Sequence, residues 1–297
     1  MSIFQTLKFI TNHPINKRRK IEALYDFLKF QLGIRILDKE AIHHWIEDIN
    51  FIVKNGENSL TGNLYNGLFE FIEMAYLLHL TTENDMLIDV GANVGSYLLL
   101  ACGVKGAKGY GFEPIPSTFN RLKKNMLLND LLCRVKIFNQ GIGDSPGTLL
   151  FSSDLNCTNH ILFEKEIVKN AIKIPVKKLD DIMGIEKPTI LKIDVEGYEL
   201  PVLRGAQKIL ANESLYTIII EMNGQGNRYG FNEDDIVKLL SSYDFYPYSY
   251  DPYKREIVKL ISKNTYCENT IFIRNEILVK DKVKNSKRYN IKNDFWI

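Results

Sequence analysis

Cysteine is scarce: four residues in 297, at positions 102, 133, 157 and 267, and no two stand at CxxC spacing. That leaves no zinc site or dithiol redox motif, and sparse, scattered cysteine fits a reducing cytoplasm. Long apolar runs are lacking too. The nearest candidate, Tyr97–Val104, is far too short to span a bilayer, which takes about 20 residues. Lys8 and Asn12 break up the short apolar start, so no signal-peptide core is read there. Charge of one sign is also missing. Thirty-eight Lys+Arg against 36 Asp+Glu leave +2, which argues against a dedicated nucleic-acid binder. Repeats and low-complexity linkers are absent. A chain 45% hydrophobic and 25% charged is neither disordered, collagenous nor a coiled coil in its main architecture. The expectation is a soluble, cytoplasmic protein with no transmembrane segment and no nucleic-acid partner.

The distribution of charge says more than its sum. Residues 1–20 carry +5, residues 279–297 carry +4, and the body between carries −7. An acidic body with basic ends suits peripheral contact with an anionic membrane or polymer. Solvated, frayed termini would give the same count.

Apolar residues at helical spacing predict a helix over 21–36 and another over 66–80, with a short strand at Phe51–Lys54 and a turn at Asn55–Asn58 between them. His43 and His44, beside Trp45, read as helix surface and core rather than metal ligands. From residue 85 short apolar strands alternate with helices. Strands are expected at 86–90, 109–112, 135–138, 189–193 and 216–221, with extra strands at 147–153 and 171–178. Helices are expected at 95–104, 116–129, 199–211 and 233–242. Late strands at 245–250 and 270–274, with no long helix between them, read as a terminal antiparallel hairpin. The tyrosines at 246, 248 and 250 alternate as strand residues do. This grammar is α/β, with βαβ units and a mostly parallel sheet.

In such sheets ligands bind beyond the carboxyl ends of the strands. After the first strand stands Asp89-Val-Gly-Ala-Asn-Val-Gly95, where Gly91 and Gly95 let the backbone pass close to a ligand and turn into a helix. Glu113 and Pro114 follow the second strand, and a carboxylate there can accept both hydroxyl protons of a ribose. Asp194-Val-Glu-Gly197 follows the fourth strand and Glu221-Met-Asn223 the fifth. A dinucleotide fold wants GxGxxG, whose middle glycine admits a pyrophosphate. Asn93 stands there instead, which suits a ligand without phosphates, S-adenosylmethionine better than a nicotinamide dinucleotide.

Leu87–Tyr97, Gly111-Phe-Glu-Pro114, Leu191-Lys-Ile-Asp-Val-Glu-Gly-Tyr-Glu-Leu200 and Val202-Leu-Arg-Gly-Ala206 together resemble the FkbM-type class I methyltransferases. The resemblance covers about 62–275. It implies a Rossmann-like, seven-stranded methyltransferase domain over 62–278, an N-terminal helical extension over 1–61 and a basic C-terminal tail over 279–297. It further implies that Asp89, Gly91, Asn93 and Gly95, with Ala92 and Ser96 in the same loop, cradle the methionine part of S-adenosylmethionine. Glu113 takes the ribose hydroxyls, with Pro114 beside it. Asn139-Gln-Gly-Ile-Gly-Asp144 borders the adenine, including Gly141 and Ile142. Gly141 stands where the family more often has alanine. Gly62-Asn-Leu-Tyr65 with Glu70 resembles the family's approach helix. Asp194 and Glu196 fall where donor and acceptor meet. Residues 1–55 resemble leaders on members linked to surface-polysaccharide gene sets, which points to a hydroxyl-bearing carbohydrate acceptor.

An alcohol acceptor has a high pKa, so a general base helps. Asp194, Glu196 and Glu221 are the candidates, with His160 a fourth on a loop near the site. The same carboxylates could instead hold a divalent cation that polarises the hydroxyl. Two alternatives remain at this stage: a nicotinamide-dependent oxidoreductase on the same fold class, and a non-catalytic scaffold that keeps the cofactor pocket.

Overall fold

The structure, a computed structural model, describes residues 3–37, 40–54, 59–152, 159–162, 170–292 and 294–297. It opens with helices α1 (Ile3–Asn12) and α2 (Lys20–Leu37) and the hairpin β1 (Ala41–His44) and β2 (Asn50–Val53). Helices α3 (Ser59–Asn66) and α4 (Phe71–Leu80) follow. Then come β3 (Met86–Val90), a short helix α5 (Ser96–Leu98) running on as a π-helical stretch Leu99–Val104, β4 (Lys108–Phe112), α6 (Pro116–Leu128) and β5 (Val135–Phe138). Three short strands, β6 (Gly141–Ile142), β7 (Gly147–Ser152) and β8 (Ala171–Lys177), form a separate small sheet. The main sheet resumes with β9 (Ile190–Ile193), followed by α7 (Glu199–Arg204), α8 (Gln207–Ala211), β10 (Thr217–Glu221), α9 (Glu233–Ser241), β11 (Tyr246–Asp251), β12 (Glu256–Lys259) and β13 (Asn269–Ile273). The chain ends in α10 (Glu276–Asn285) and the hairpin β14 (Asn290–Lys292) and β15 (Phe295–Trp296).

The main sheet runs β12-β11-β13-β10-β9-β3-β4-β5. Strands β5, β4, β3, β9 and β10 pair in parallel, and β13 lies antiparallel between β10 and β11. This is the Rossmann-like class I methyltransferase arrangement, with strand order reversing between β3 and β9. The central strands are buried on both faces, which is why they read as unbroken apolar runs. Two large apolar clusters cover the two faces. A third, small cluster of Ile115, Phe151, Ile161, Ile174 and Val176 belongs to the β6–β8 sheet.

The differences from expectation have local causes. Among the described residues the sheet has eight strands, not seven, because β12 adds an edge by pairing with β11. Residues 245–250 and 270–274 do lie antiparallel, but β12 intervenes between them in sequence. The helix expected over 66–80 starts at 71, since Gly67, at φ +76°, ends α3 first. The helix expected over 199–211 breaks at Gly205. A Cβ there would lie 2.0 Å from the Gly143 carbonyl oxygen, so the glycine of Leu-Arg-Gly-Ala lets α7 abut the β6 turn. His43 and His44 lie on β1, not on a helix. The turn expected at 55–58 and most of the loop around His160 lie outside the described residues.

Among the described residues, both end segments pack on the body. Helix α10 packs on α4, and Tyr289, Ile291 and Ile297 are buried in the core. Lys282 of α10 bonds the buried Asp85 at 2.9 Å, just before β3. Ile10, Ile15, Ala23 and Phe27 at the other end join the same apolar cluster.

Candidate functional site

The loops after β3, β4, β9 and β10 surround a cleft of about 320 Å³ at the carboxyl ends of these strands, where strand order reverses. That is where an open α/β sheet binds ligands, and the volume is that of a small-molecule site.

Close backbone approach builds the first wall. The Gly91 and Ala92 amides both donate to the Phe112 carbonyl, at 3.0 and 2.9 Å. Gly91 has φ +81°, and a Cβ there would sit 1.8 Å from the Asp194 carbonyl oxygen. Only glycine lets the β3 and β9 loops meet so closely. Asn93 follows at φ +49°, a conformation asparagine tolerates better than most residues. Its amide donates to Glu113 Oε2 at 3.0 Å, and the Ile115 amide donates to Oε1 at 2.9 Å. Two backbone donors thus fix the Glu113 carboxylate and leave it further acceptor capacity at the cleft wall.

The second wall is the Asp194–Gly197 loop. Glu196 holds φ +56° and Gly197 φ +101°. The Glu199 carboxylate spans this strained pair, accepting from the Val195 and Gly197 amides at 3.2 and 3.0 Å. Gln225 donates to Glu196 Oε2 at 2.6 Å. Lys192, 1% exposed, donates to Asp194 Oδ2 at 2.9 Å. Glu221 ends β10 on the same cleft.

Burial dominates the electrostatics. Desolvation pushes Asp89 and Glu113 up to about 7, with Lys192 pulling Asp89 back and the two backbone donors pulling Glu113 back. Glu199 also rises to about 7, by burial. Burial raises Glu70 and Glu196. Glu221 is driven far above the usual carboxylate range by burial and then by Asp194 and Glu196, so it holds its proton at neutral pH. Asp194, Glu196 and Glu221 each offer a carboxylate oxygen, all within 4.8 Å of one another, close enough to share a proton or a divalent cation.

Of the residues expected at the site, Glu70, Asp89, Gly91, Ala92, Asn93, Ser96, Glu113, Pro114, Ile142, Asp194, Glu196 and Glu221 line this cleft. Five others do not. Tyr65 ties α2 to the body, with its hydroxyl accepting from Gln31 at 3.0 Å. Gly95 makes the turn under Leu122 and Met126. Asn139 donates to the Glu113 and Pro114 carbonyls and braces the loop after β4 from behind. Gly141 is packed against Val176 and Phe151, which leaves a methyl there little room. His160 is buried between Asn159 and Ile161, which do reach the cleft, and it lies near enough to pull Glu196 downward.

Lys192 and Glu199 carry more of the architecture than their sequence positions suggested. The signal for Lys192 was a lysine inside an otherwise apolar strand. Phe69 and Glu268 also line the cleft and had no motif to announce them, while Tyr97, which lines it too, closes the Leu87–Tyr97 motif.

The sequence matches the Methyltransferase FkbM domain over residues 89–247. The chain belongs to this family. Among similar proteins, a hexuronic acid methyltransferase, AglP, of Haloferax volcanii is 32% identical over 169 residues, or 56% of this chain and 65% of that protein. Methyltransferase sdnD of Sordaria araneosa is 30% identical over 172 residues, 46% of this chain and 66% of that protein. The FkbM-family chain thus spans just under two thirds of the length of these curated relatives. A solved methyltransferase FkbM from Methylobacillus flagellatus KT is 17% identical with a TM-score of 0.45, covering 65% of this chain and 44% of the other.

Proposed function

We propose that this FkbM-family protein binds S-adenosylmethionine and directs its methyl to a hydroxyl oxygen of a carbohydrate. One observation carries the cofactor reading: among the described residues, seven carboxyl side chains line the cleft (Glu70, Asp89, Glu113, Asp194, Glu196, Glu221 and Glu268) against one cation, Lys192. A pyrophosphate would enter a field of its own sign, and no central glycine makes room for it. A cationic sulfonium amino acid suits the same field, and a ribose suits the fixed Glu113 carboxylate. A nicotinamide dinucleotide or a nucleic-acid acceptor is disfavoured on the same ground.

The bound cofactor supplies a methyl group on positive sulfur, ready for in-line displacement by an acceptor oxygen. The chain's task is alignment and proton removal. Glu196 is the base we assign. It lines the cleft, burial raises its basicity, and Gln225 steadies one of its oxygens. It would take the hydroxyl proton as the acceptor oxygen bonds the methyl carbon and the methyl–sulfur bond breaks, leaving a neutral thioether. Asp194, held by Lys192, orients the acceptor, while neutral Glu221 spares the cluster a further negative charge. Lys192 already serves as the counterion here, so the reading needs no divalent metal, and a chelator should leave transfer unchanged. The intact acid set favours an enzyme over a scaffold, and the likeness to a hexuronic acid methyltransferase supports a sugar acceptor.

The test has two parts. Calorimetry should show binding of S-adenosylmethionine and its demethylated product but not of a nicotinamide dinucleotide. Labelled cofactor should pass its methyl to a fractionated polysaccharide precursor, and Glu196→Gln should bind cofactor while losing that transfer. Tight dinucleotide binding, or no transfer to any fraction, defeats the reading.

A further inference from the structure

Helix α2 is apolar on two opposite faces. At about 100° per residue, Ala23, Phe27 and Phe30 fall on one side. Ala23 and Phe27 are buried, Phe30 packs against the same core, and Phe27 and Phe30 set their rings 5.1 and 5.7 Å from Tyr65. Ile21, Tyr25, Leu28 and Leu32 fall within an arc of about 60° on the other side. They are 84%, 64%, 56% and 60% exposed. Most other large apolar side chains exposed among the described residues, such as Met183 and Ile261, stand singly along the chain. Isolated exposed apolar residues need no explanation, whereas a continuous stripe along a helix of about 27 Å does.

Charge identifies what covers it. Lys17, Arg18, Arg19 and Lys20 lead into the helix and are all exposed, and Lys29 is exposed farther along. The nearby acids are already engaged: Glu22 pairs with Arg19 at 3.5 Å, and Asp26 with Lys292 at 3.1 Å. Lys292 belongs to the C-terminal hairpin, so the fold brings the chain's two basic ends together at this helix. Tyr253, exposed beside Phe295 of that hairpin, extends the same corner. An apolar stripe with a basic entrance is the pattern of a helix lying in a membrane interface. A second copy would instead have to bring up an acidic patch, which this face does not carry.

We propose that the exposed face of α2, with Lys17–Lys20 at its head, docks on an anionic lipid bilayer surface. The inference stands on this surface alone and is independent of the methyl-transfer reading. Docking there would also place the cleft near the bilayer. Tyr65, against which the buried face of α2 rests, belongs to α3. In the same helix Asn63 donates to Ser96 of the cofactor loop at 3.2 Å, and Phe69 and Glu70 follow at the cleft wall.

Vesicle flotation with the full chain tests this. The protein should float with vesicles of phosphatidylcholine mixed with phosphatidylglycerol, not with phosphatidylcholine alone. Salt on the order of 1 M, where screening acts within about 3 Å, should release it. Neutralising one base should lower partitioning about five-fold, and neutralising Lys17, Arg18 and Lys20 together on the order of a hundred-fold. Leu28→Ser and Leu32→Ser should each lower it at least about ten-fold. All these side chains are exposed, so cofactor binding and circular dichroism should stay unchanged and report the fold intact. No flotation with either vesicle, or equal flotation with both, overturns the proposal. So does a wild-type dimer in light scattering that Leu28→Ser dissociates, which would assign the face to a second copy.

Discussion

Asp89 and Lys192 are register partners on the adjoining parallel strands β3 and β9, side by side at the point where strand order reverses. Lys192 is thereby a buried cation among Asp89, Glu70 and Asp194, and each of these carboxyls draws on it. The ammonium in turn is held well above its ordinary range by the acids, despite the desolvation that opposes it.

Lys192→Met should therefore cost about 3–5 kcal/mol of stability at neutral pH, because it leaves buried carboxylates without their partner. The loss should shrink at pH 5, where Asp89, pushed up to about 7 by burial, takes up a proton. Urea unfolding at both pH values checks it; equal losses would mean that Lys192 acts through packing alone.

Cofactor affinity should rise with pH through about 7. Asp89 and Glu113 have folded pKa values near 7, above their ordinary values near 4, and a cationic, hydroxyl-bearing guest favours their ionised forms. The free protein follows the opposite trend. Its raised carboxyls stabilise it while protonated, and that stability is lost as pH climbs through the folded values. Thermal shift from pH 5 to 8 should show the apo midpoint falling while the cofactor-induced increment grows. Glu113→Gln should flatten that increment and weaken binding about ten-fold or more.

Gly91→Ala should abolish cofactor binding and lower stability. It forces a methyl against the Asp194 carbonyl at 1.8 Å, in a left-handed conformation that costs a non-glycine residue about 1–2 kcal/mol before any clash. Calorimetry and thermal melts report the two effects separately.

Glu199→Gln should lower turnover with little change in cofactor affinity. Its carboxylate holds the Val195 and Gly197 amides on either side of the strained Glu196, so weakening it should loosen Glu196 rather than the loops after β3 and β4. A matching fall in affinity would mean that Glu199 supports the whole cleft.

The fold was legible where buried strands make short apolar runs and where glycine and proline punctuate them. Met86–Val90, Val135–Phe138 and the late antiparallel pair are examples. Legibility failed where tertiary packing overrides local pattern. The strand β12 exists because β11 offers an edge, and α10 was hidden in a lysine-rich segment that reads as solvated. Site residues at strand ends were visible by position. Tyr65 and Asn139 illustrate the limit: both were expected at the site from the resemblance, yet their side chains brace the elements that form the cleft.

The β6–β8 sheet has its own small apolar cluster, which brings Phe151 and Ile161 to the cleft. Such a unit can open without unfolding the rest. Its amides should exchange with deuterium well ahead of those in β9 and β10. The donor half of the cleft would then be stiff while the roof breathes, so one scaffold could accommodate acceptors of different bulk by changes confined to that roof.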